Sequence, residues 1–297
     1  MRQDIEFNTE DGVTLRGWWY PGNGDGATVV MAHGFSATKE MYLDGFAEVF
    51  AEAGLNVLVY DNRCLGESGG EPRGEIDPWM QVRDYRDAIT WVSQRDDVNA
   101  ERIGIWGSSY SGGHVLMVAA MDRRVKCVVS QVPLVHGGIN ASRLVRADLL
   151  RELRRNCDAD RVARYNGEAP AMVPVVAEKE GDPCVLPTAD STEFFLQIPP
   201  ERTKHWRNEC TMRSVDLFAS YEPGFYAPLI SPTPVMVAAA VGDVLTPFDV
   251  TASVFEKMLQ PKKFVTLPGG HFDAYVDEAF AISAPQQRDW FRAHLAA

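Results

Sequence analysis

The 297-residue sequence predicts an α/β protein built on an open, mostly parallel sheet, and three stretches carry that expectation. In Ile103-Gly-Ile-Trp-Gly-Ser-Ser-Tyr-Ser-Gly-Gly113, a short β-rich run passes through a small-residue turn into a helical stretch, with a serine at the apex. In Val235-Met-Val-Ala-Ala-Ala-Val-Gly-Asp243 an apolar strand ends in glycine and an acid. In Lys263-Phe-Val-Thr-Leu-Pro-Gly-Gly-His271 another ends in a glycine pair and a histidine. One helix and one strand fit between Asp243 and His271. Both residues are therefore expected at the C-terminal ends of neighbouring parallel strands, where open α/β sheets place their sites.

Taken in chain order, residues 5–8 and 14–20 form an opening pair of strands, split by the turn Glu10-Asp-Gly12. Ala27-Thr-Val-Val-Met-Ala-His33-Gly-Phe-Ser36 is the next strand with its loop. A helix over 43–53 stops at Gly54, and residues 57–60 form the following strand. Asp77 then caps a long helix that has Pro78 at its first position. Val82, Tyr85, Ile89 and Val92 give that helix a core-facing stripe at helical spacing. The serine turn leads into a helix over 114–121 and a strand over 126–132.

Roughly a hundred residues then separate Pro133 from the Val235 strand, far more than a usual αβ connection. This interval is expected to be a helical cap over residues 134–231, inserted after the sixth strand, with 1–133 and 232–297 forming the core. Val145, Leu149 and Leu153 recur there at helical spacing. Arginines 143, 146, 151, 154 and 155 alternate with Asp148 and Glu152, the pattern of a solvated helix face. Later come Phe194, Phe195, Trp206, Phe218, Tyr221, Phe225 and Tyr226. Several of these should line an apolar pocket, with Phe194, Phe195, Trp206 and Tyr221 as candidate substrate contacts. His136 and His205 also lie in the cap, where surface or core roles are the ordinary expectation.

The chemistry rests on Ser109, Asp243 and His271. Ser109 lies two residues after Gly107, at the apex of a turn that lifts a side chain out of the backbone. Ser108 still belongs to the strand, and a frame centred on Ser111 would leave Gly107 without a purpose. Asp243 would hold the imidazole of His271, which takes the proton of Ser109 as it attacks a carbonyl. Asp249 and Asp273 are the alternative acids, and neither sits at a strand end.

With the loop His33-Gly-Phe-Ser36 in place, the chain resembles an α/β-hydrolase: the order serine, acid, histidine is that of the family. The resemblance implies an eight-stranded, mostly parallel, twisted sheet with helices on both faces. It also implies an oxyanion hole formed by the backbone N–H groups of Phe35 and Tyr110, and a structural role for His33 in shaping the loop. Asn56-Val-Leu-Val-Tyr-Asp61-Asn-Arg63-Cys-Leu-Gly66-Glu-Ser68 is similar to the family's D-x-R-x-x-G-x-S strand end. The run from Asn208 to Pro247 resembles a narrower branch, that of polyketide-transferase-like and X-prolyl-dipeptidyl-peptidase-like enzymes. A serine hydrolase acting on a small-molecule ester or thioester through an acyl-enzyme is the expected activity. The alternative is acyl transfer to an alcohol or amine, and X-prolyl peptidase, carbon–carbon hydrolase and non-catalytic readings rank below it. Aspartate would stand at position 109 in a dehalogenase or epoxide hydrolase. No metal or organic cofactor is required.

A net charge of −12 argues against nucleic acid and acidic membranes as partners. Cysteines 64, 127, 157, 184 and 210 form no C-x-x-C pair, which points to reduced thiols and a cytoplasmic setting. The opening residues have no apolar signal region, and no run is long enough to span a membrane. A homodimer is left open.

Overall fold

The computed structural model describes residues 2–179 and 181–296. An eight-stranded sheet in the order β1-β2-β4-β3-β5-β6-β9-β10 forms its centre. Strands β1 (Gln3–Asn8) and β2 (Thr14–Tyr20) make an antiparallel hairpin that joins β4 (Asn56–Tyr60) antiparallel. From β4 onward the sheet is parallel, through β3 (Thr28–Ala32), β5 (Ile103–Ser108), β6 (Val125–Gln131), β9 (Val235–Ala240) and β10 (Lys262–Leu267). Every residue of β3, β4, β5 and β9 is buried. Strands covered on both faces can be continuously apolar, which is why they lack alternation.

The handedness of parallel crossovers decides which face each helix covers. The chain steps from β3 to β4 in one direction through α1 (Leu43–Glu52). It then steps from β4 to β5 in the other direction through α2 (Pro78–Ser93), so α1 and α2 lie on opposite faces. α3 (Tyr110–Met121) and α8 (Phe248–Lys257) continue the second direction and share the α2 face. The terminal α9 (Asp277–His294) packs with α1. The reversal between β3 and β5 makes a crevice at their C-terminal ends, the usual binding position of such sheets.

The cap of α2 is as expected: the Asp77 carboxylate accepts from the N–H groups of Trp79 at 3.0 Å and Met80 at 3.2 Å. Gln287 of α9 accepts from Trp106 Nε1 at 2.7 Å, a buried bond that ties the terminal helix to β5 just before the serine turn. Between β6 and β9 the chain forms α4 (Gly137–Leu144), α5 (Ala147–Tyr165), α6 (Ala189–Gln197) and α7 (Met212–Ser220), with the two-residue strands β7 (Met172–Val173) and β8 (Cys210–Thr211). Ser214 of α7 accepts from Ile76 N–H at 2.8 Å, and Arg202 reaches Asp44 at 2.8 Å, so the insertion is bonded to the loop before α2 and to the first turn of α1. On α5, Arg151, Arg154 and Arg155 are exposed, as a solvated face requires. Among the described residues no helix is long and apolar enough to cross a membrane, and the five cysteines are unpaired.

Candidate active site

The turn after β5 is built by close approach. A Cβ on Gly107 would lie 2.1 Å from the carbonyl oxygen of Ser111, so only glycine lets strand and helix touch there. Ser109 takes up the resulting bend with φ 57° and ψ −116°, a positive φ that a non-glycine residue rarely adopts. The three neighbouring serines are thereby separated. Ser108 pairs with the Tyr275 hydroxyl at 2.7 Å, and Ser111 donates to the carbonyl of His33. Ser109 Oγ lies 3.0 Å from His271 Nε2, close enough to donate its proton.

His271 and Asp243 stand at the ends of β10 and β9. Nδ1–H of His271 donates to Asp243 Oδ2 at 2.7 Å, with both side chains buried. The carboxylate is held on all sides. Oδ1 accepts from the N–H groups of Leu245 at 2.9 Å and Thr246 at 2.7 Å. The Thr246 hydroxyl lies 2.8 Å from Oδ2 and 3.2 Å from His271 Nδ1. Asp249 and Asp273, the other acids considered, are engaged elsewhere. Asp249 pairs with Arg143 at 2.7 Å, and Asp273 accepts from Gly270 N–H at 2.6 Å.

The loop after β3 presses on Ser109 from the other side. A Cβ on Gly34 would lie 2.8 Å from Ser109 Cβ, which sets Phe35 beside that serine. Phe35 N–H has no acceptor among the described residues, and Tyr110 N–H is the first of α3, where no carbonyl of the helix can reach it. The two side chains meet edge to face at 5.4 Å. Phe218 of α7 packs edge-on to Phe35 at 5.8 Å and stacks on Tyr110 at 5.7 Å. His33 is fully buried, and burial lowers its pKa. Its Nε2 accepts from Asn62 N–H at 3.0 Å, so it braces the loop. Behind it, buried Lys39 donates to Asp61 through its N–H at 2.8 Å and through Nζ at 2.8 Å. Asp61 belongs to the D-x-R-x-x-G-x-S segment, so that segment anchors the loop of the Phe35 N–H.

The cleft above Ser109 is narrow and apolar, about 550 Å³ with its open mouth included. Of the four candidate substrate contacts, Phe194 and Phe195 line it. Trp206 and Tyr221 do not. Trp206 stacks on Phe195 at 5.1 Å from the far side, and Tyr221 is 1% exposed and turned into α3, with its hydroxyl 2.9 Å from His114 Nδ1. Phe225 is 75% exposed. The sequence reading missed Thr246, Phe272, Tyr275 and Met41 on the cleft wall, and placed Phe218 only among the general aromatics. Thr246 was the one with a signal, three residues past the acid at the start of a helix, where hydroxyls bond backwards. Glu40, Glu67 and His205 bring three ligand atoms within 4.8 Å of one another. The Lys39 ammonium already fills the role of cation there, at 2.9 Å from Glu40 and 2.6 Å from Glu67.

A model of the X-Pro dipeptidyl-peptidase (S15) family matches residues 11–273. The chain belongs to this family. This S15-family chain is 32% identical over 290 residues to a thiohydrolase of Eupenicillium brefeldianum, covering 96% of the chain and 92% of the relative. It is 34% identical over 299 residues to the polyketide transferase grgF of Penicillium sp., covering 99% and 97%. The solved structure of DcsB in complex with its substrate analogue superposes with a TM-score of 0.89 at 28% identity, over the whole of both chains. The S15-family chain is thus an enzyme with the α/β-hydrolase fold.

Proposed function

We propose that the chain is a serine hydrolase that cleaves a carboxylic ester or thioester of a small molecule through an acyl-enzyme. The observation that carries this reading is the continuous relay from Ser109 Oγ through His271 to Asp243, at 3.0 and 2.7 Å. His271 takes the proton as Ser109 attacks the carbonyl carbon, and Asp243 fixes the tautomer and stabilises the imidazolium. The N–H groups of Phe35 and Tyr110 receive the oxyanion; in such sites one donor is worth about 3–4 kcal/mol of barrier. The protonated His271 then gives its proton to the leaving group, and the same histidine activates the water that frees the acyl group.

Two observations bear on the competing activities. No carboxylate lines the cleft among the described residues, so nothing there would clamp the N-terminal ammonium of an X-prolyl peptide. The relatives named thiohydrolase and polyketide transferase support acyl chemistry with either water or a second nucleophile as acceptor. Acyl transfer is therefore the second reading. The aromatic walls from Phe194, Phe195 and Phe218 support an apolar acyl group of medium size. Burial contributes about 0.8 kcal/mol per methylene, or about fourfold in kcat/KM for each one accommodated. The test is a panel of p-nitrophenyl esters and acyl thioesters from acetyl to hexanoyl and benzoyl, with and without acceptor alcohols. The rate should rise with acyl length, and free acid should be the product without acceptor. An acetyl ester outperforming hexanoyl and aromatic ones removes the pocket assignment, and accumulation of acyl product only with acceptor selects transfer.

A further inference from the structure

Thr246, in the loop between β9 and α8, is buried and grips both oxygens of the Asp243 carboxylate. Its backbone N–H donates to Oδ1 at 2.7 Å, and its hydroxyl lies 2.8 Å from Oδ2. A carboxylate held at one oxygen can still turn about its Cβ–Cγ bond. Held at both oxygens by one residue, it keeps a single plane, and that plane sets the direction in which Oδ2 accepts from His271 Nδ1–H at 2.7 Å. Leu245 N–H, the other backbone donor, reaches Oδ1 alone. Among the described residues, the Thr246 hydroxyl is the only group besides His271 that meets Oδ2.

The same hydroxyl reaches the serine half of the relay. It lies 2.9 Å from the carbonyl oxygen of Val132, just past β6. Val132 has φ 36°, a genuine outlier for a β-branched residue, and such strain persists only where the surroundings enforce it. Its N–H donates to Ala238 O at 2.7 Å, and its C=O faces the Thr246 hydroxyl. Residues close on either side bracket the serine. Ser109 N–H donates to Gln131 O at 2.9 Å, and Leu134 N–H donates to Ser109 O at 2.9 Å. Residues 131–134 therefore hold the serine turn on one side and the loop of Asp243 on the other, with Thr246 as the side-chain link. Val132 O and Asp243 Oδ2 can only accept, so the one hydroxyl proton serves both.

We propose, on the serine-hydrolase reading above, that Thr246 is a positioning residue: its hydroxyl orients the Asp243 carboxylate toward His271 and fastens the loop of the acid to the segment that holds Ser109. Its effect belongs to turnover and not to binding, because the hydroxyl acts through the carboxylate while Thr246→Val keeps the shape of the cleft wall.

The experiment compares Thr246→Val, Thr246→Ala and Thr246→Ser in the full-length chain on p-nitrophenyl hexanoate, with rates divided by the active sites that a fluorophosphonate titrates. Misfolded protein then drops out of kcat. Thr246→Val and Thr246→Ala should lower kcat by about tenfold, the order expected for one bond to a charged group, with KM within about twofold. Thr246→Ser, which keeps the hydroxyl, should stay within about threefold of the parent. In Asp243→Asn, where the wrong tautomer already limits turnover, adding Thr246→Val should change kcat by less than about twofold. A kcat within about twofold of the parent in Thr246→Val or Thr246→Ala overturns the proposal. So does Thr246→Ser as slow as Thr246→Val, or a further loss of about tenfold in the Asp243→Asn background. A parent that neither reacts with the fluorophosphonate nor cleaves the ester removes the serine-hydrolase reading itself, and the proposal with it.

Discussion

Asp243→Asn separates a carboxylate that orients His271 from one that only packs beneath it. An amide must offer oxygen to one side and NH₂ to the other. On the Oδ1 side it meets two backbone donors, Leu245 N–H at 2.9 Å and Thr246 N–H at 2.7 Å. On the Oδ2 side it meets His271 Nδ1 at 2.7 Å. Oxygen toward the loop keeps both backbone bonds. The reverse orientation sets NH₂ against two buried donors, at about 1–3 kcal/mol for each one left unpaired. The Thr246 hydroxyl accommodates the first orientation, since it can donate to Val132 O at 2.9 Å and accept from the new NH₂. The NH₂ group therefore faces Nδ1, which must lose its proton to accept. That proton moves to Nε2, where it points at Ser109 and blocks uptake of the serine proton. Turnover should fall by about 10⁴-fold, equivalent to about 5.4 kcal/mol of barrier. The assay is kcat on p-nitrophenyl hexanoate, with a thermal melt to show that the fold is kept. A kcat within about tenfold of the parent at unchanged Tm refutes the reasoning. Asp273→Asn is the control, because that carboxylate holds Gly270 N–H, and its loss should stay below about tenfold.

Ser109→Ala should lower turnover by about 10⁶-fold and abolish labelling by a fluorophosphonate, and labelling that persists would move the nucleophile elsewhere. Ser111→Ala removes a buried bond to the His33 carbonyl and should cost about 1 kcal/mol of stability in a urea titration, with labelling retained. Phe218→Leu removes a ring that packs on both Phe35 and Tyr110. The loss of two aromatic contacts of about 0.5–1.5 kcal/mol each should lower kcat by about tenfold and leave KM nearly unchanged; an unaltered kcat excludes a positioning role. Burial lowers the pKa of His114 from its ordinary 6.5 to about 3, so the folded chain keeps it neutral while the unfolded chain binds a proton below 6.5. Its contribution is therefore complete above pH 6.5 and is lost toward pH 3 at about 1.4 kcal/mol per pH unit. Urea midpoints between pH 7.5 and 5 should fall more steeply for the parent than for His114→Gln, and parallel lines would contradict this.

The candidate site was legible where one residue's position follows from strand ends. Ser109, Asp243 and His271 each close an apolar run, and the glycines before them mark where the chain turns. The fold was legible for the same reason, since buried parallel strands read as unbroken apolar stretches with helices between. Side-chain direction within the insertion was not. Trp206 and Tyr221 are large aromatics like Phe194 and Phe195, but their neighbours turn one against the outer side of Phe195 and the other onto His114. The insertion has two-residue strands and short helices, and no period fixes a face in such segments. The serine helix also begins at Tyr110, whereas the pattern placed it from 114. Gly112 and Gly113 depress helix propensity, and tertiary packing overrides it.

The anchoring of the Phe35 loop has a consequence for which parts of this scaffold can change. Lys39 and Asp61 hold that loop from within the sheet core, while Phe194 and Phe195 meet the cleft from the insertion. Positions 194 and 195 can therefore diversify toward new acyl groups without moving the Phe35 and Tyr110 N–H groups, provided that the replacement at 194 still packs on Phe272, the neighbour of His271. Position 218 has no such freedom, because its ring belongs to the cleft wall and to the packing of both Phe35 and Tyr110, the proposed oxyanion-hole residues. A library randomised at 194 and 195 should yield many active variants with altered acyl preference. One randomised at 218 should yield mostly slow enzymes, whatever the substrate.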